Sequence, residues 1–228
     1  MQPNYQIAGQ ISDTTTQQHR VLRNTYFLLA LAMLPTAIGG FIGVNINFGF
    51  MRASPILSMV LFFGVFYGLM FLIEKNRNSG LGVGLMLLFS LLMGVMLGPL
   101  LQVAAVRNAG ALVVYAAVGT AAIFFGLALI ASSAKRNFGF LSKFLMIGFF
   151  VLLISVLANA FLQLPVFALV ISGGFMLFSS AAIVFTINQI VRGGETNYIS
   201  ATLTLYVSIY NLFTSLLHIL LSLTGQRN

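Results

Sequence analysis

Residues 198–223 read YISATLTLYVSIYNLFTSLLHILLSL. The stretch carries no charged side chain and is long enough to cross ~30 Å of hydrocarbon at ~1.5 Å per residue. It is not uniformly apolar, however. Thr204, Ser208, Asn211, Ser215, His218 and Ser222 follow one another at spacings of 4, 3, 4, 3 and 4, which on a helix is one continuous stripe. Leu203, Tyr206, Tyr210, Phe213 and Leu217 fill other faces. A polar stripe at membrane depth faces a bundle interior or a wet cavity, not acyl chains. The reading predicts a helix at the centre of a larger membrane bundle.

Six more apolar segments precede it, with predicted limits Thr25–Val44, Pro55–Ile73, Leu81–Leu101, Ala109–Ala131, Phe144–Leu164 and Pro165–Val191. They are uniformly apolar instead of alternating, and an open sheet edge is untenable in lipid, so all seven are predicted helices. Composition agrees. Hydrophobic residues make up 59% of the 228 and charged residues 6%, where a soluble domain carries about a quarter charged. The expected fold is an all-α integral membrane protein, a seven-transmembrane-helix bundle with its last helix central. Residues 1–19 are polar, rich in Gln, Ser and Thr, and without a helical apolar period, so they read as a disordered tail ahead of a domain at 20–228. Ala30-Leu31-Ala32 resembles a cleavage site, but too few apolar residues precede it for a signal peptide. The first segment is expected to be retained as an anchor.

Two connections are tight. Phe161-Leu162-Gln163-Leu164-Pro165 joins the fifth and sixth segments without a charge, and Pro165 suits a first helical position. Gly193-Gly194-Glu195-Thr196-Asn197 joins the last two. Its glycines suit a left-handed helix cap, which leaves Glu195 near the positive start of the next helix.

Charge distribution predicts orientation. Arg20, Arg23, Lys75, Arg77, Lys135, Arg136, Lys143 and Arg192 fall on the side of the N-terminus, against Arg52, Arg107 and Arg227 on the other. Eight against three places the N-terminus in the cytoplasm and the C-terminus outside. The net charge of +8 is spread thinly over short loops, so anionic lipid is the expected partner and nucleic acid is not.

Only three carboxylates occur, Asp13, Glu74 and Glu195, and none lies inside an apolar segment. That excludes a soluble acid–base enzyme and argues against holding a cation with buried acids. With two histidines and no cysteine, no metal site is expected. No phosphate loop, dinucleotide fingerprint or nucleophile–base set is present, so neither a cofactor nor an enzyme activity is expected. The stripe of the last helix reads as a polar pathway or as interhelical hydrogen bonding worth ~0.6–1.7 kcal/mol per contact, the commoner use. Within it His218 has no acidic partner and is expected neutral and hydrogen-bonded. Gly39/Gly43, Gly64/Gly68, Gly80/Gly84 and Gly94/Gly98 each fit Gly-x-x-x-Gly and are read as ordinary packing within one monomer.

Several stretches carry a family likeness. Phe185-Thr186-Ile187-Asn188-Gln189-Ile190, Gly193 to Ile199, and Leu205-Tyr206-Val207-Ser208-Ile209-Tyr210-Asn211-Leu212-Phe213 resemble the Bax inhibitor-1 family, most closely its bacterial YccA-like branch. Val21 to Leu29 and Asn159-x-Phe161-Leu162-Gln163-Leu164-Pro165 do so too. The resemblance implies seven helices with the last central. Family members described as pH-sensitive calcium leaks carry an aspartate in each of the last two helices, and the matching positions here are Thr186 and Ser208. Hydroxyls supply no charge to a calcium ion, which prefers carboxylate oxygens. The YccA-like branch implies instead a partner, the membrane-anchored AAA protease FtsH, which such proteins restrain while being its substrates. Gln2, Pro3, Asn4 and Tyr5 are then the expected point of engagement. The alternative is a cation or solute pathway lined by Thr186, Ser208, Asn211, Ser215 and His218.

Overall fold

The computed structural model describes residues 4–49, 53–133 and 137–225. Its long elements are α1 (Asn4–Val44), α2 (Pro55–Lys75), α3 (Gly80–Met96), α4 (Gly98–Val106), α5 (Gly110–Ala131), α6 (Phe140–Leu162), α7 (Pro165–Val191) and α8 (Tyr198–Gly225). No strand occurs among the described residues. Seven spans are long and apolar enough to cross a membrane, with α3 and α4 together forming the third. That span breaks at Leu97 because Pro99 follows: its ring has no N–H and crowds the carbonyl a turn earlier. The segment expected to end at Leu101 continues as helix to Val106.

The expected boundary between tail and bundle at residue 19 falls inside α1, which is continuous from Asn4 to Val44. Extending a helix already nucleated by the membrane span adds a backbone bond per residue without a new nucleation cost. Local polarity does not register that. Just past the polar segment, Val21 packs with Ile190 of α7 and Ala201 of α8.

Helix α8 packs against α1, α2, α3, α4, α5 and α7. The last helix is central. Leu205, Leu212 and Leu217 on it are fully buried, as is nearly all of Tyr206. By contrast α6 packs on α7 and buries only Leu152 among the described residues.

The closest helix contact runs between α1 and the third span. A Cβ on Gly39 would overlap the carbonyl of Leu91, and one on Gly94 the carbonyl of Thr36. A Cβ on Gly43 would overlap Val95, and one on Gly98 would sit 2.5 Å from the carbonyl of Gly43. Two of the four glycine pairs therefore interlock with each other inside the monomer. Gly64, Gly68, Gly80 and Gly84 meet nothing within 4 Å.

Polar groups tie the helix ends. Gln102 Nε2 donates to the carbonyls of Val44 at 3.0 Å and Ile46 at 2.7 Å, closing the end of α1. Arg107 Nη1 donates to the carbonyl of Leu221 at 3.0 Å, closing that of α8. The turn after α7 is a left-handed cap, with Gly193 at φ 76° and the Gly194 amide donating to the Gln189 carbonyl at 2.8 Å. Asn197 then caps α8: its Oδ1 accepts from the amides of Ile199 at 2.9 Å and Ser200 at 3.2 Å. Glu195 Oε1 accepts from the Asn197 amide at 2.7 Å, so the expected carboxylate does sit at the start of the last helix. At the other tight connection Pro165 opens α7 as expected, after Gln163 takes a left-handed φ of 51°.

The interlock yields a direct test. Gly94→Ala forces two backbones apart, and a detergent-purified variant should lose about 1–3 kcal/mol of stability. Gly64→Ala, facing open space, should be close to neutral. Equal thermal midpoints for the two variants would show that the glycine contact is not a constraint.

Candidate functional site

Four helices meet around a cavity of about 350 Å³ in the half of the bundle away from the N-terminal face. Helix α6 contributes Asn159, α7 contributes Ser172, and α8 contributes Asn211, Thr214, Ser215 and His218, with Leu100 and Phe175 among the apolar walls. Asn211, Ser215 and His218 come from the stripe read in the sequence. The other two expected pathway residues are elsewhere. Thr186 and Ser208 are buried and do not line this cavity, and the Ser208 hydroxyl donates back to the Thr204 carbonyl at 2.8 Å. Thr204, at the start of the stripe, is exposed.

Three polar lining residues were not singled out as site residues from sequence. Thr214 lies beside the stripe, and its hydroxyl donates within its own helix to the carbonyls of Tyr210 at 3.0 Å and Asn211 at 3.1 Å. Asn159 ends α6, where its Oδ1 accepts from the Leu164 amide at 3.2 Å. Ser172 is the informative one. Its Oγ lies 3.0 Å from the Ala168 carbonyl and 2.9 Å from His218 Nδ1. A carbonyl only accepts, so both contacts are hydrogen bonds at once only when the single hydroxyl proton goes to Ala168 and Nδ1 donates to Ser172. In a neutral ring that arrangement is the Nδ1–H tautomer, with Nε2 as an acceptor. The spacing of serines along α7 was the only signal for this partner, and it does not specify which one meets α8.

The cavity offers amides, hydroxyls and one imidazole. The side chains of Asn211 and Ser215 form no hydrogen bond to another described residue, so both are available to water or a solute. No carboxylate lines it, and no group of three or more His, Cys, Asp or Glu is assembled among the described residues. Such a lining suits water or small neutral hydrogen-bonding molecules. It lacks the anionic oxygens that hold a divalent cation. Of the expected engagement residues, Gln2 and Pro3 lie outside the described residues, while Asn4 and Tyr5 open the backbone of α1.

Fold and site together define a class: a seven-span helical membrane protein wrapped around a polar last helix, with an acid-free cavity beside it. Residues 18–226 match the family described as Inhibitor of apoptosis-promoting Bax1. The chain belongs to this family, the Bax inhibitor-1 family. It is 43% identical over 202 residues, 89% of its length and 90% of the relative's, to the "Modulator of FtsH protease YccA" of Escherichia coli K12. It is also 41% identical to uncharacterized proteins of Neisseria meningitidis serogroup A, over 93% of this chain and 95% of the relative, and of Pseudomonas aeruginosa, over 92% and 94%.

The Ser172–His218 bond is testable. Ser172→Ala removes the acceptor for Nδ1–H and leaves the ring free to change tautomer. Nitrogen-15 NMR of the labelled imidazole should show predominantly Nδ1–H in the natural chain and a mixture in the variant. An Nε2–H signal in the natural chain would reverse the assignment.

Proposed function

We propose that this chain binds and modulates a membrane-anchored AAA protease of the FtsH type in a bacterial inner membrane, by occupancy and not by catalysis. The observation that carries the reading is the 43% identity over nine-tenths of both chains to a protein named as a modulator of FtsH protease. The cavity holds no carboxylate to orient the Ser172–His218 pair, and no group of three or more His, Cys, Asp or Glu is assembled among the described residues. The distribution of Lys and Arg, eight against three, supports a cytoplasmic N-terminus and an outside C-terminus. The polar N-terminal segment of the sequence, from Gln2, Pro3, Asn4 and Tyr5 onward, is then on the side of the protease and serves as its handle. Residues 16–20, just ahead of Val21, are exposed or half-buried, whereas the glycine-locked spans resist extraction.

Two measurements test this. Deleting residues 2–17 should leave insertion intact, since Arg20 and Arg23 remain, and should make the chain long-lived in cells with active protease. An unchanged half-life would show that the segment is not the handle. A periplasm-active reporter fused after Asn228 should be active and one fused at Asn137 inactive; the reverse would overturn the orientation.

The cavity beside His218 supports a second reading, a solute or cation pathway through Asn211, Ser215 and His218. Because it lacks acids, the natural chain should pass little calcium in liposomes between pH 6 and 8. Thr186→Asp/Ser208→Asp should gain pH-sensitive flux if those positions still share a pathway, at ~2.5–3.5 kcal/mol of insertion cost per carboxylate. Robust flux from the unmodified protein would show that a site without acids suffices and would overturn this expectation.

A further inference from the structure

A second hollow, about 1060 Å³, lies on the opposite side of α8 from the His218 cavity. Helices α1 and α5 form its two walls and α8 its floor. Those walls are not packed backbone to backbone. They touch through Tyr26, edge-on to Phe124 with ring centroids 6.2 Å apart. From this geometry we infer that the groove receives one transmembrane helix of a partner. Under the reading proposed above, on which this rests, the partner is the membrane anchor of the protease.

Length is the first argument. The groove follows α1 from Leu22 to Val44, about 33 Å at 1.5 Å per residue, which is the whole hydrocarbon core of ~30 Å. The chains of one phospholipid reach only the midplane, roughly 15 Å. A spanning helix fills the full length with one molecule. Wall relief is the second. Ala30, Ala37 and Gly40 on α1 and Ala117, Ala121 and Ala128 on α5 line the groove, and small residues let a partner backbone approach closely.

Hydrogen bonding then separates a helix from a lipid tail. Near mid-depth Tyr206 and Thr36 bond to each other at 2.7 Å. Tyr210, stacked on Tyr206 at 6.4 Å, also lines the groove, and its hydroxyl donates to no described residue. An acyl chain offers that hydroxyl nothing, whereas a helix can offer a carbonyl, serine or asparagine. At the N-terminal mouth Arg23 is exposed and pairs with no carboxylate among the described residues. It stands one turn before Tyr26 and two before Ala30, on the same edge of α1. The fitting occupant has small residues along one face, a hydrogen-bond acceptor at mid-span and an acidic residue at its cytoplasmic end.

The test places a photo-crosslinking benzophenone amino acid at Ala37 or Ala121 in the groove, and at Ile154 or Val170 on the far side, in cells that contain FtsH. Groove positions should yield an adduct of this chain with FtsH, mapped by mass spectrometry to a transmembrane segment, and far-side positions should not. Ala121→Trp, which fills the groove from an exposed position, should lower co-purified FtsH at least tenfold with topology unchanged. Tyr210→Phe should lower it severalfold. If FtsH co-purifies but groove positions crosslink only to lipid or to a second copy, the groove assignment is overturned and the modulating reading stands. If FtsH does not co-purify with the natural chain at all, both fall.

Discussion

Helix α8 cannot face lipid, and the arrangement of the other helices answers that constraint. Ser200, Thr202, Ser208 and Ser215 on it are all buried. In hydrocarbon each polar group needs a partner supplied by protein or trapped water. Several of its hydroxyls donate to carbonyls of their own helix: Thr202 to Tyr198 at 2.6 Å, Thr204 to Ser200 at 3.1 Å and Ser208 to Thr204 at 2.8 Å. The rest reach out. Tyr206 bonds Thr36 and the Ser90 carbonyl, Ser200 bonds Glu74, and His218 bonds Ser172. Each outward bond draws in a different neighbour, so the polar helix is also the one that assembles the bundle. The glycine interlock of α1 with the third span then fixes the distance at which α1 can stand from that centre.

Much of this was readable in the chain because it is written in composition and period. Seven spans follow from apolar runs, and the central place of the last follows from a stripe that lipid would not accept. The caps at Gly193 and Pro165 were readable because few residues suit those backbone positions. Other features depend on tertiary register and were not. Four glycine pairs share one motif, yet only Gly39/Gly43 and Gly94/Gly98 meet, since the motif states that a backbone can be approached and not by what. The helical start at Asn4 comes from propagation out of a neighbouring span, which residue preferences within 4–19 do not encode.

The candidate site shows the same division. Asn211, Ser215 and His218 were found by spacing along one helix. Ser172 and Asn159 complete the cavity from two other helices, and nothing in their local sequence distinguishes Ser172 from Ser155 or Ser179. Ser155 bonds the Val151 carbonyl on the outer helix, and Ser179 is fully buried without a partner among the described residues. Thr186 and Ser208 were chosen from a family motif and lie apart from the cavity lining, so in this chain the motif positions and the open volume are separate features.

That separation bears on how one fold serves different ends. Where the last two helices carry acids, an uncompensated charge at membrane depth demands a proton or a cation. With hydroxyls there, the demand disappears: Ser208 is satisfied by a carbonyl one turn back, and the centre of the bundle has no reason to open. What remains polar and accessible lies toward one end, around His218. What remains open across the bilayer is an apolar groove between α1 and α5. On the reading proposed above, that groove, open to the side, receives a helix laterally, from within the membrane.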